Sequence, residues 1–101
     1  MRVLFICNQN INRSRTAEDL FKDRFITKSA GLFNETPVKE SEIEWADTVV
    51  VMEGFQRAEI AKRFPKQYMK KRIISLDIDD IYSYNQPELV ELLESRVSQL
   101  L

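Results

Sequence analysis

Four short apolar runs, each followed by a stretch of helical character, leave this chain few folds to choose from. The runs cover residues 2–7, 26–30, 48–52 and 72–76. In the first, Val3, Leu4, Phe5 and Ile6 are apolar without interruption, the pattern of a strand covered on both faces. Thr48-Val49-Val50-Val51-Met52 adds β-branching, and Arg72-Ile73-Ile74-Ser75-Leu76 repeats the theme. Strands alternating with helices predict a parallel sheet sandwiched between helical layers.

The intervening segments carry helical periodicity. In residues 14–25, Ala17, Leu20, Phe21 and Phe25 recur at three- and four-residue steps, with Ser14 or Thr16 as the expected cap. Residues 38–46 predict a short helix through Val38, Ile43, Trp45 and Ala46. Residues 55–64 predict another, burying Phe55, Ala58, Ile60, Ala61 and Phe64, which Pro65 stops. The basic run from Lys66 to Arg72 reads as a solvated turn. Pro87 suits the first turn of a last helix, whose stripe is Leu89, Leu92, Leu93, Val97 and Leu100. Right-handed crossovers leave a flavodoxin-like strand order 2-1-3-4 as the favoured topology: a three-layer α/β sandwich, helices on both faces. At 101 residues this is a single domain, 1–101.

Two absences narrow the chemistry. There is no histidine, so no Cys–His or Ser–His pair exists within the chain. There is one cysteine, Cys7, so no internal disulfide and no Cys/His zinc set can form. A net charge of −1 argues against a nucleic-acid or membrane field, and the apolar runs are too short to span a bilayer. A cytoplasmic protein is expected.

Ligands of such sheets bind beyond the carboxyl ends of the strands. Cys7 ends the first strand there, Glu53 follows the third, and the acidic segment Asp77-Ile78-Asp79-Asp80-Ile81-Tyr82 follows the fourth. The loop Cys7-Asn8-Gln9-Asn10-Ile11-Asn12-Arg13-Ser14 leads from strand to helix. Its N–H groups can ring an oxyanion over a helix N-terminus, and Arg13 offers a planar fork to two oxygens. The same positive surroundings favour the thiolate of Cys7, to which Ser14 can donate. Phosphoryl transfer to sulfur is then feasible, with a carboxylic acid from the 77–80 segment protonating the leaving oxygen. Tyr82 could wall the pocket.

These residues resemble the low-molecular-weight protein tyrosine phosphatase family, in its compact bacterial form. The family loop is Cys, five residues, Arg, Ser, with an Asn where Asn10 stands. Ser29-Ala30-Gly31, Trp45-Ala46-Asp47, Val49-Val50-Val51-Met52-Glu53, Asp80-Ile81-Tyr82 and Pro87-Glu88-Leu89-Val90-Glu91-Leu92-Leu93 extend the resemblance along nearly the whole chain. It implies that Cys7 is the nucleophile forming a phosphocysteine and that Arg13 binds phosphate and stabilises the transition state. Asn10 would hold the loop and Ser14 the thiolate. Asp80 would act as acid and then base, Tyr82 would flank a substrate ring, and Asn8, Gln9, Ile11 and Asn12 would complete the phosphate cradle. No metal or cofactor is implied; the partner is a phosphorylated protein or a small aryl phosphate. Departures are Gln9 for a usual Gly, Asn12 for a frequent second Cys, Arg15 for Pro, and Ile81 for the Pro of the acid motif. The last leaves Asp79 open beside Asp80. Two other functions fit the loop: a phosphate- or phosphopeptide-binding module without catalysis, and a phosphocysteine carrier of the sugar phosphotransferase kind.

Overall fold

A computed structural model describes residues 1–101. The element order is β1 (Arg2–Cys7), α1 (Arg13–Phe21), β2 (Ile26–Gly31), α2 (Glu40–Trp45), β3 (Thr48–Val51), α3 (Gly54–Arg63), α4 (Pro65–Lys70), β4 (Arg72–Ser75) and α5 (Pro87–Leu100). The four strands form one parallel sheet in the expected order, β2-β1-β3-β4.

Side chains of a strand alternate between faces, and β1 shows the result on both sides. Val3, Phe5 and Cys7 join Val50, Met52, Ala17, Phe21, Leu89, Leu93 and Val97 beneath α1 and α5. Leu4 and Ile6 join Val49, Val51, Ile73, Ile43 and Ile60 on the opposite face, beneath α2 and α3. Burial of both faces explains why these strands carry unbroken apolar runs. No helix is long and apolar enough to cross a membrane.

The structure corrects several expectations. The first helix runs from Arg13 to Phe21, not from 14 to 25, and neither Ser14 nor Thr16 caps it; its N-cap is Asn12. Phe25 keeps its four-residue spacing from Phe21 because the chain turns back on itself, with the Phe25 N–H donating to Phe21 O at 3.0 Å. Their rings lie 6.3 Å apart, a contact periodicity alone cannot tell from a helical one. The second helix is shorter than 38–46; Glu42 accepts from the Lys39 N–H at 2.9 Å and closes its first turn. Pro65 does end α3, yet it also opens α4 at the position where a missing N–H costs nothing. The segment read as a solvated turn is thus mostly helix. Its Gln67 is buried and donates to Glu40 Oε1 at 2.7 Å, while Tyr68 packs on the second core.

Asp47 clips the start of β1 to the turn before β3. Its carboxylate accepts from the Arg2 N–H at 2.8 Å, and its own N–H donates to Arg2 O at 2.9 Å. The Arg2 N–H, aided by the Arg2 guanidinium, holds this carboxyl below its ordinary value of 3.8. A lowered folded-state value contributes stability that is complete above the ordinary value and lost as pH falls through the lowered one. Asp47→Asn should therefore reduce the melting temperature slightly at neutral pH and by less in acid, well below the ordinary value of 3.8. Equal losses at both pH values in thermal melts contradict this account.

Candidate active site

β1 delivers Cys7 to the carboxyl edge of the sheet, and the loop between β1 and α1 wraps back over it. The sulfur is buried and sits inside a hydrogen-bond set of its own loop. Its distance to Ser14 Oγ is 2.9 Å, and the Asn10 N–H donates to it at 3.2 Å. Asn10 reaches that orientation through a left-handed backbone, φ 57°, which asparagine tolerates better than most residues. Ser14 Oγ also lies 2.8 Å from Asn10 Oδ1. A hydroxyl has one proton and two lone pairs. With a thiol, the S–H donates to Ser14 and Ser14 donates to Asn10. With a thiolate, Ser14 turns its proton to the sulfur. Asn10 and Ser14 thus stand behind the sulfur and do not line the pocket in front of it.

That pocket has a volume of about 70 Å³ and is lined by Cys7, Asn8, Gln9, Ile11, Asn12, Arg13 and Asp80. Against about 30 Å³ of liquid volume per water, this is the scale of one tetrahedral oxyanion. Arg13 forms one side. Its side chain is 1% exposed, an extreme burial for a guanidinium. Arg13 Nη1 donates to Glu53 Oε1 and, at 2.7 Å, to Ile78 O. Its Nε is buried with no hydrogen-bond partner, and Asp80 Oδ1 lies 3.6 Å away across the mouth. Asp80 is half-exposed, so its carboxyl meets both solvent and the pocket.

Of the three acids in the segment after β4, only Asp80 lines the pocket. Asp77 instead accepts from Ser75 Oγ at 2.8 Å. Tyr82 does not wall the pocket; it is half-buried against the α1/α5 core. The apolar flank comes from Ile11, which is 60% exposed at the lining. No three His, Cys, Asp or Glu side chains converge as a metal set.

Two residues outside the expected phosphate cradle complete the site. Glu53, just past β3, is the ion partner of Arg13. Gln56, in the first turn of α3, is fully buried where Phe55 was expected to be and Phe55 is exposed. The reason for the exchange is the loop: Gln56 Nε2 donates to Asn8 Oδ1 at 2.9 Å, and its Oε1 accepts from the N–H groups of Met52 and Glu53 at 2.8 and 3.0 Å. A buried amide bonded at both its oxygen and its nitrogen fixes geometry rather than adding core volume. Gly31 is closely approached by the same loop. A Cβ there would stand 2.8 Å from Asn34 Nδ2 and 3.0 Å from Asn8 O. Gln9, which replaces a usual Gly, is exposed, its backbone is not in the left-handed region, and its amide reaches Phe33 O at 3.5 Å.

Comparison with known structures finds this architecture in phosphatases. The chain shares 20% identity with the tyrosine phosphatase Wzb from Escherichia coli K30 in complex with phosphate, covering 98% of this chain and 94% of that one at a TM-score of 0.78. It shares 23% with the YwlE arginine phosphatase from Geobacillus stearothermophilus, covering 98% and 84% at 0.68. It shares 20% with the low molecular weight protein tyrosine phosphatase from T. tengcongensis, covering 100% and 99% at 0.78. Among curated sequences nothing matches. The sequence profile of the low molecular weight phosphotyrosine protein phosphatases matches residues 2–100, and the chain therefore belongs to that family of cysteine-based phosphatases.

Proposed function

We propose that this protein hydrolyses aryl phosphate monoesters of the phosphotyrosine type through a phosphocysteine intermediate, without metal or cofactor. One observation carries the reading: a buried cysteine faces a pocket of oxyanion size between a buried arginine and a half-exposed aspartic acid. The Cys7 thiolate attacks phosphorus, and the bond to the leaving oxygen breaks as Asp80 gives that oxygen its proton. Loop N–H groups and the Arg13 fork hold the three non-bridging oxygens, with Arg13 Nε as a donor already aimed and unspent. Asp80, now a carboxylate, takes a proton from water as the water attacks phosphorus and the P–S bond breaks. Inorganic phosphate and the starting thiolate result.

The flanks of the pocket favour a ring over a charged leaving group. Ile11 lines the pocket and is 60% exposed. An apolar flank desolvates a phenyl face at little cost, whereas a guanidinium loses hydration there. The test is turnover by reduced protein of para-nitrophenyl phosphate, a phosphotyrosine peptide and a phosphoarginine peptide, in the presence of a chelator. The expected order places phosphotyrosine above phosphoarginine by about 10-fold or more in kcat/KM. A preference for phosphoarginine overturns the aryl reading. Phosphate binding without any turnover overturns the enzymatic one in favour of a binding module.

A further inference from the structure

Asp80 rides on a segment, residues 76–86, that has neither helix nor strand. Something else must hold it still. On the near side, Ile78 is buried, its N–H donating to Met52 O at 2.8 Å and its carbonyl accepting from Arg13. On the far side the segment is fastened to α1 at two points. The Asn85 N–H donates to Thr16 Oγ1 at 2.9 Å, and the Tyr84 hydroxyl donates to Asp19 Oδ2.

Thr16 is the more informative anchor. It is 1% exposed, and its hydroxyl donates to Asn12 O at 2.7 Å. Its one proton is thus spent on a residue that lines the pocket, while a lone pair receives the segment carrying Asp80. One buried oxygen atom joins the phosphate loop to the acid segment. Asn85 turns its N–H inward through a left-handed backbone, φ 58°, a local cost that this bond offsets. The Asp19 carboxylate keeps the Tyr84 phenol above its ordinary range, so that second bond is intact throughout neutral pH.

We propose that Thr16, seconded by the Asp19–Tyr84 pair, is a positioning residue that holds Asp80 at the pocket mouth, so that leaving-group protonation depends on it and phosphate binding does not. The inference rests on the reading of Asp80 as general acid. It separates Thr16 from an ordinary helix threonine, whose hydroxyl bonds the preceding turn and does nothing further.

The experiment compares kcat/KM for para-nitrophenyl phosphate, whose leaving group departs readily, with phenyl phosphate, whose leaving group needs the proton. Both report the first phosphoryl transfer. Thr16→Val should cut the phenyl phosphate value about 10-fold more than the para-nitrophenyl phosphate value, in the direction of Asp80→Asn. Inhibition by inorganic phosphate should stay within about 2-fold of wild type, because Asn12 O keeps its bond from the Thr16 N–H at 2.9 Å. Thr16→Ser, which keeps the hydroxyl, should restore the ratio, and Tyr84→Phe should shift it the same way by a smaller factor. If Thr16→Val does not fold, Tyr84→Phe decides the matter by the same ratio, since its exposed ring tolerates the change. Equal losses on both substrates, or an unchanged ratio, overturn the proposal while wild-type turnover leaves the phosphatase reading standing. Absence of wild-type turnover removes that reading, and this one with it.

Discussion

Cys7→Ser should abolish hydrolysis of para-nitrophenyl phosphate, by at least about 10⁴-fold, while inorganic phosphate still binds. The expectation follows from what the sulfur does and does not touch. Ser14 Oγ and the Asn10 N–H already hold an acceptor at that position, and a serine oxygen can take the same bonds. Arg13, its partner Glu53 and the rest of the cradle are untouched. Only nucleophilicity disappears, because a hydroxyl with no histidine in the chain has no strong base beside it. Calorimetric titration with phosphate and a single-turnover assay measure the two halves separately. Residual turnover within about 10-fold of wild type means that another nucleophile operates.

Arg13 should give the second large effect, and in two currencies. In the proposed mechanism Arg13→Ala removes a donor to the transferring phosphoryl group and should lower kcat/KM by at least about 10² to 10³-fold. It also deletes the largest fully buried side chain and strips Glu53 and Ile78 O of their shared donor. Glu53 is left partly solvated at 26% exposure, but the Ile78 carbonyl loses its donor in the interior, so a lower denaturation midpoint is expected. Arg13→Lys separates the two effects. It keeps the charge for Glu53 but presents a point cation in place of a planar fork, so stability should recover more than activity. Denaturant titration beside steady-state kinetics reads both. A lysine variant with wild-type kcat/KM would show that charge alone suffices and that the fork geometry is idle.

What could be read from the sequence was what neighbours in the chain decide together. Val3 to Ile6 must be buried on both faces, and that one requirement leads to a covered parallel sheet. Cys7 and Arg13 belong to one strand–loop–helix unit, so their meeting was foreseeable. Strand order also set Glu53 and the acidic segment on the same rim, but the individual pairings were not foreseeable. Glu53 reaches Arg13 across 40 residues of chain, Gln56 reaches Asn8 across 48, and Asn85 reaches Thr16 across 69. Periodicity carries no record of such pairs. Tyr82 shows the limit of spacing from the other direction: placed beside Asp80 in the chain, it turns into the core instead of the pocket. Gln56 left its mark only in the structure. A glutamine buried in place of an adjacent phenylalanine breaks the apolar rule, and such breaks mark functional sites.

Because β1 lies inside the sheet and the site gathers Cys7, Arg13, Glu53, Gln56 and Asp80, its parts emerge from the ribosome at widely separated times. A nascent chain that ends before β3 presents the thiol and the arginine but neither the carboxylate that steadies the arginine nor the strand that covers one edge of β1. At synthesis rates of about 5 to 20 residues per second, that interval lasts a few seconds. During it the cysteine is an ordinary exposed thiol, open to whatever electrophiles the surroundings hold. Chemical competence therefore arrives late and all at once, when the last two strands dock.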